Sequence, residues 1–372
     1  GADGTAVKIE SLPPAVDGMV AVTLAPSVQR VLLSMQAVAS AAGNRLVLDN
    51  GSMRVEWPQE VLTQLLALVP AEQLQKTILS IRLERLTKEQ VEALLPEGRD
   101  KAGIDVHVAG QALKIGLSVL TPSGETALTG LDAPLTLVLP VDEGADADVL
   151  GVYKMADDGG LAYVGGRLAG GKLSVEIDRF GTFAVLTYHK RFTDLPDSHW
   201  AAKAVRILAA RHVIRGKTSD RFAPNDAVTR AEFAALIARA LGLRASAAAP
   251  FRDVARDAWF ADAVAAVHEA GIVTGRSADV FDPYATITRE EMAVMIVRAY
   301  LHATGREMLQ TDGAAYFADR SELHEWSAAY VDAAYSLGLV RGKPDLRFAP
   351  GDVSTRAESA QVILNLLLSS AD

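Results

Sequence analysis

Apolar positions along this chain change their period twice. Up to about residue 110, helical and strand spacing alternate. Val20 to Leu24 alternates weakly and predicts a strand. Val28, Val31, Leu32, Met35 and Val38 lie at helical spacing and predict a helix over Ser27 to Ala42, ended by Gly43. Arg45 to Leu48 and Met53 to Trp57 flank Asp49-Asn50-Gly51, a hairpin turn signal. Pro58 opens a helix through Leu68 with Val61, Leu62, Leu65 and Leu66 as its buried stripe. Lys76 to Leu86 alternates as a strand, and Thr87 with Gln90 makes a capping box for a short helix to Leu95. From about residue 103 the period is two. Ile104 to Val108, Ala112 to Leu120, Leu135 to Leu139, Val149 to Met155, Leu161 to Val164, Lys172 to Asp178 and Thr182 to Tyr188 are short alternating runs between Gly and Asp clusters. Such a series predicts a sandwich or barrel. Residues 1–110 therefore read as an α+β region and 111–189 as a β-rich, sandwich-like region. The early strands could complete the later sheet and make one domain of the two.

From residue 190 the period becomes helical and the chain repeats itself three times, over about 192–245, 251–304 and 317–369. Phe-x-Asp opens each copy (Asp194, Asp253, Asp319). A Trp follows (Trp200, Trp259, Trp326), then a Gly (Gly216, Gly275, Gly342) with a base after it (Lys217, Arg276, Lys343), then Phe-x-Pro. Each copy closes on Thr-Arg-x-Glu, beginning at Thr229, Thr288 and Thr355. Trp to Gly is 16 residues in every copy, and Gly to that Thr is 13. A fixed period with helix, loop and helix in each copy is a repeat architecture. The link before the third copy is longer, so Ala303 to Ala314 reads as an inserted loop or helix extension, and one groove should differ in its wall.

Thr-x-x-Glu before an apolar run is a capping box, with Thr as N-cap and Glu232, Glu291 and Glu358 reaching back to it. That leaves Arg230, Arg289 and Arg356 unexplained. They fall at the first helical position, where a cation opposes the helix dipole by roughly 0.3–1 kcal/mol. A helix N-terminus with free N–H groups beside a guanidinium would be an anion site. The glutamates are thus expected to serve folding and the arginines a ligand; an ion pair to a neighbouring copy is the structural alternative.

Residues 192–369 resemble three consecutive S-layer homology modules, on the Phe-x-Asp, the Trp, the Gly before Phe-x-Pro and the Thr-Arg-Ala-Glu box. The second copy departs mildly, reading Thr288-Arg289-Glu290-Glu291. The resemblance implies a pseudo-threefold all-α domain over 190–372 with grooves between modules. It also implies binding to secondary cell wall polymers of Gram-positive envelopes, typically through pyruvylated N-acetylmannosamine. The fold class is then multidomain: an N-terminal α+β and β-sandwich-like region followed by that helical domain.

Within the repeats, the three arginines are the first-ranked ligand contacts. The tryptophans are expected to stack on sugar rings or to pack half-buried. The Phe-x-Asp aspartates would accept from sugar hydroxyls, orient the arginines, or tie a turn. The glycines would admit a ligand to the backbone or take a left-handed conformation, and the bases after them would add positive charge. Net charge is −9, which argues against a nucleic-acid partner. The chain has no cysteine, which excludes disulfides and thiolate metal sites. No apolar run reaches the roughly 18 residues of a membrane span. No signal peptide is visible, so an export signal is expected outside Gly1–Asp372. His107 has no nucleophile motif near it. Asp142, Glu143, Asp146 and Asp148 read as a solvated acidic loop rather than a Ca²⁺ loop. Glu56 and Glu60 flank Trp57-Pro58, and a glycosidase needs two carboxylates in one cleft, which sequence cannot place. These residues predict a non-catalytic chain without metal or cofactor: the secreted, wall-anchoring end of a surface protein, bound to polysaccharide on peptidoglycan, with residues 1–189 as spacer or display module of unknown partner. The alternative is an envelope enzyme acting on glycan, with its N-terminal region catalytic and the repeats a tether.

Overall fold

The computed structural model describes residues 5–96, 102–308 and 317–370. Two compact units emerge, Gly1–Lys190 and Arg191–Asp372.

In chain order the first unit holds β1 (Thr5–Ile9), β2 (Met19–Thr23), β3 (Val28–Ser34), α1 (Met35–Ser40), β4 (Arg45–Asp49), β5 (Arg54–Trp57), α2 (Gln59–Ala67), β6 (Ile78–Leu86) and α3 (Lys88–Leu94). There follow β7 (Ile104–Thr121), β8 (Gly124–Leu128), β9 (Gly130–Pro140), β10 (Leu150–Met155), β11 (Leu161–Gly165), β12 (Arg167–Ala169), β13 (Lys172–Arg179) and β14 (Gly181–Lys190). One sheet runs β1-β3-β6-β7-β14-β10-β11, with β8 on β7; the other runs β12-β13-β9-β5-β4-β2. Inward residues of both share one core: Val31, Leu33, Ile81 and Leu113 from the first, Leu48, Trp57, Leu135 and Leu137 from the second. Helices α1 and α2 add Val38, Leu62 and Leu65. Helix α3 covers part of the other face of the first sheet, with Val91 in a smaller cluster beside Tyr153 and Leu186.

Two expectations fail locally. Ser27 to Ala42 is not one helix, because Val28–Ser34 is strand β3 and only Met35–Ser40 is helical. Val28 and Val31 fit either period. Val31, Leu33 and Met35 alternate and are wholly buried, and tertiary burial wins over local spacing. Ser34 then caps α1 by accepting from the Ala37 N–H. The strands expected either side of residue 110 are a single strand, β7. Its pairing with β14 slips between Ala184 and Leu186, and a Cβ at Gly110 would collide with the Pro140 carbonyl oxygen. Glycine lets β7 pass that bulge unbroken. Both sheets accordingly draw strands from either side of residue 110.

The second unit is three helix pairs: α4 (Ala202–Ala210) with α5 (Arg230–Leu241), α6 (Ala261–Glu269) with α7 (Arg289–Thr304), and α8 (Glu325–Ser336) with α9 (Arg356–Ser369). All three capping boxes form, each Thr hydroxyl accepting from the N3 amide and each Glu accepting from the Thr amide. Phe233, Ile237, Met292, Ile296, Ala360 and Ile363 of α5, α7 and α9 share one core. Helix α7 reaches Thr304, so the expected extension is in part helical, while 309–316 lie outside the described residues.

Candidate functional site

The segments leading into the box helices close on one another. Val228 donates its amide to the Ser354 carbonyl, Ser354 to Ile287, and Ile287 to Val228. Next along, Arg230, Arg289 and Arg356 donate their amides to Ala285, Asp352 and Asp226; Ala231, Glu290 and Ala357 donate theirs to Pro283, Pro350 and Pro224. The first two amides of each box helix are thus used by the following repeat in cyclic order, and the third by its own Thr. The expected anion site at free helix N–H groups is corrected by this: the amides are not free.

The arginines share that fate. Arg230 and Arg289 are buried, 6 % exposed. Arg230 Nε donates to the Phe281 carbonyl at 3.0 Å and Nη1 to Glu291 at 3.1 Å. Arg289 Nε donates to Phe348 at 2.8 Å, Nη1 to Glu358 at 3.0 Å and Nη2 to the Arg341 carbonyl at 2.9 Å. Arg356 donates to the Phe222 and Arg215 carbonyls. Each guanidinium also lies 4.7–5.0 Å from the ring centre of that same phenylalanine. Burial lowers the pKa of Arg230 and Arg356. Arginine at the first helical position is thus accounted for by an inter-repeat lock, and the ion pair to a neighbouring copy is present for two of the three.

Other motif residues are also held within the fold. Asp194 accepts from the amides of Phe222 and Ala223, Asp253 from Phe281 and Asp282, and Asp319 from Phe348 and Ala349. Burial opposes ionisation of these carboxylates, yet the paired N–H donors outweigh it and hold all three below the usual carboxylate range. Each aspartate ties the loop whose carbonyl receives the arginine. A Cβ at Gly216, Gly275 or Gly342 would come within 2.6–2.7 Å of the ring of Phe192, Phe251 or Phe317. The close approach is therefore to the phenylalanine of the same repeat. Only Gly275 of the three has a positive φ, 76°. Lys217 pairs with Asp226, Arg276 with Asp282 and Glu291, and Lys343 with Asp352. Glu290, where the other copies have alanine, is buried and accepts from the His324 ring and the Ser327 hydroxyl. It satisfies the start of α8 from the neighbouring repeat. Its unlikeness to Ala231 and Ala357 was the visible signal.

The tryptophans behave differently, at 52–63 % exposed. Trp326 lines a cavity of about 490 Å³ together with Arg230, Gly275, Arg276, Glu291 and Arg298. Trp259 forms a wall of a smaller one, about 160 Å³, with Arg356, Arg215, Gly216, Glu232 and Arg239. Each cavity draws its arginine, its glycine and its tryptophan from three different repeats. Trp200, Arg289, Gly342, Lys343 and Glu358 are the corresponding residues of the third set. Arg239 and Arg298 were missed. Each stands nine residues after a box arginine, a recurrence the third copy breaks with Asn365. Arg298 lies 5.1 Å from the Tyr330 ring centre, and Arg239 donates to the Val213 carbonyl. Neither pairs with a carboxylate among the described residues. The grooves thus join an exposed aromatic face to cationic charge, an arrangement suited to an acidic sugar.

In the first unit Glu56 pairs with Arg45 and Arg54, and His107 with Asp105. Arg85, Lys88, Gln111 and Asp142 line a cavity of about 400 Å³. There Arg85 bonds Gln111, and Lys88 bonds Asp142. Among the described residues no group of three or more His, Asp or Glu side chains is placed to hold a metal ion. No described helix is long and apolar enough to cross a membrane.

Residues 191–234, 250–293 and 316–360 match the S-layer homology domain. An amylopullulanase of Thermoanaerobacterium thermosulfurigenes is 34 % identical over 257 residues, covering 68 % of this chain and 14 % of that protein. The exoglucanase XynX of Acetivibrio thermocellus is 37 % identical over 184 residues, 49 % of this chain and 17 % of it. The S-layer protein sap of Bacillus anthracis is 31 % identical over 176 residues, 47 % of this chain and 21 % of it. The chain thus spans about a fifth or less of the length of these relatives. The amylopullulanase match is longer than the second unit, so it reaches into the first. The expectation of a non-catalytic chain is corrected here, since relatives sharing the repeats are named as glycan-degrading enzymes.

Proposed function

We propose, from the premise that residues 191–360 are three S-layer homology domains of a secreted, cell-wall-associated protein, that this chain holds a glycan-active enzyme on the bacterial cell wall. The three repeats, set about a pseudo-threefold axis, grip an acidic secondary wall polysaccharide, of which a pyruvylated N-acetylmannosamine unit is the expected epitope. Trp200, Trp259 and Trp326 stack on its sugars. The groove cations take its carboxylate, with Arg298 and Arg239 beside the box arginines and Lys217, Arg276 and Lys343. Asp194, Asp253, Asp319 and the three glycines hold the groove walls. What carries this reading is the presence of an exposed tryptophan and guanidinium groups in the lining of each of the two cavities.

The test is sedimentation with purified sacculi. The chain, and residues 191–372 alone, should co-sediment with sacculi that keep their secondary polymer and stay in solution once it is extracted. Equal binding to bare peptidoglycan would remove the polymer assignment. Calorimetry with matched saccharides, with and without the pyruvyl group, tests the epitope.

The enzymatic side of the proposal is supported by the glycosidase relatives and by a match that extends into the first unit. In this chain catalysis would belong to residues 1–190, with the repeats as tether. Incubating that unit with wall glycan, starch and xylan should release reducing sugar. Release of none would assign it to spacing, leaving the tether reading intact.

A further inference from the structure

We propose that the Trp259 groove continues onto Tyr284, so that it binds at least two successive sugars of the wall glycan where the tryptophan alone would hold one. The proposal rests on the reading of the grooves as glycan sites.

Tyr284 is the most exposed large hydrophobic side chain among the described residues, at 74 %. Its ring meets buried Phe260 edge-on, with centroids 5.5 Å apart and planes at 83°. Phe260 in turn meets Trp259 edge-on at 5.4 Å and 85°. Those two steps keep the exposed rings of Trp259 and Tyr284 within about 11 Å of each other, on one buried aromatic support. The second repeat alone is built this way. At the position of Phe260 the other copies have Ala201 and Ser327, and at the position of Tyr284 they have Asn225 and Gly351.

The support is rigid. The carbonyls of Pro283 and Ala285, on either side of Tyr284, accept the amides of Ala231 and Arg230 at the start of α5. Asp253 ties the segment one step earlier, at Asp282. A phenol ring so exposed contributes little to folding, and solvent offers it no partner for its face. A pyranose does, since its axial C–H groups form an apolar face that stacks on aromatic rings while its hydroxyls stay in water. A platform on fixed backbone loses little freedom on binding.

The experiment uses the full chain carrying Trp200→Ala and Trp326→Ala, which leaves the Trp259 groove intact. Its probes are fragments of one, two and four sugars cut from the secondary wall polymer, titrated by calorimetry. Affinity should rise about fivefold to tenfold between the one- and two-sugar fragments. Tyr284→Asn, which borrows the residue of the first repeat, should abolish that gain and leave single-sugar affinity unchanged; Tyr284→Phe should keep it. Unchanged two- and four-sugar affinity in Tyr284→Asn would overturn the extended site, while a loss on Trp259→Ala would show the groove itself still bound glycan. Affinities untouched by Trp259→Ala, or no binding of any fragment, would overturn the groove reading and this proposal with it.

Discussion

The two units solve the problem of holding a chain together in opposite ways. In the first, two sheets close over a mainly aliphatic core, and among the described residues the buried polar ones are neutral: Asn50, Thr77, Ser80, Ser118 and Thr187. In the second, the buried residues include Arg230, Arg289, Glu290, Asp319 and Asp332. A sheet pair fixes its own register through ladder hydrogen bonds along many residues. A short helix pair has only the few backbone bonds at its box toward its neighbour, and its apolar faces add little to fix the register. Arg230, Arg289 and Glu290 are placed where one repeat meets the next and bond to the following copy, while Asp319 and Asp332 fix the shape of the third repeat itself. Buried charge is costly unless every partner is in place, so it penalises a misplaced repeat more than apolar contact would. The grooves lie beside these seams, and the same residue types that lock the repeats also line them.

The difference can be broken most severely at Arg289, which makes three hydrogen bonds to the third repeat. Arg289→Ala takes the guanidinium from Glu358, which keeps only its capping-box amide, and from two carbonyls, and loss of one buried partner costs about 3–5 kcal/mol. Calorimetric melting should show the transition of the second unit moved down by many degrees and that of the first unmoved. A wild-type melting curve would dismiss the lock and restore arginine to a purely ligand-facing role.

Acid should separate the units next. Asp194, Asp253 and Asp319 have folded pKa values below their unfolded ones, so their contribution to stability is present above the unfolded carboxylate pKa, near 3.9. It is lost as pH falls through the folded values. Below about pH 4, therefore, the second unit should destabilise progressively relative to the first. Asp319→Asn should remove much of that dependence and cost about 1.5–3 kcal/mol at pH 7, the worth of hydrogen bonds to a charged group. Parallel acid titrations followed by tryptophan fluorescence and circular dichroism check it. Simultaneous acid unfolding of both units would count against the aspartate ties.

How legible each unit is follows from the same contrast. A motif that returns three times at fixed spacing announces its own elements, and the capping boxes at Thr229, Thr288 and Thr355 all form as the spacing requires. What the motif residues touch was not legible. Arg230, Arg289 and Arg356 find carbonyls 51, 59 and 134 residues away along the chain. A local argument about helix dipoles and free amides cannot see acceptors delivered from another repeat, so it assigned to a ligand what the neighbouring loop supplies. In the first unit no repeat helps. Val28 and Val31 suit helix or strand equally, and the ladders of β1 and β6 on either side of β3 decide between them. The isolated strand pattern either side of Gly110 was visible, but the bulge that joins the halves needs the position of Pro140.

The smallest expected effect sharpens the comparison inside the second unit itself, between residues that lock and residues that line. Trp326 is half exposed and borders the larger cavity; its ring stacks on His324 at 5.7 Å. Arg298, which lines the same cavity, rests on Tyr330. Neither bridges two repeats by a buried ion pair. Surface substitutions away from such features usually change stability by within about ±0.5 kcal/mol, so Trp326→Ala and Arg298→Ala should melt within a degree or two of the parent. Wall retention should nonetheless fall in part, because the Trp259 groove remains. Combining Trp326→Ala with Trp259→Ala should lower retention further, again with little change in melting. A double variant that loses binding only as it loses thermal stability would mean the tryptophans are structural after all, and that the distinction between locking and lining positions does not hold.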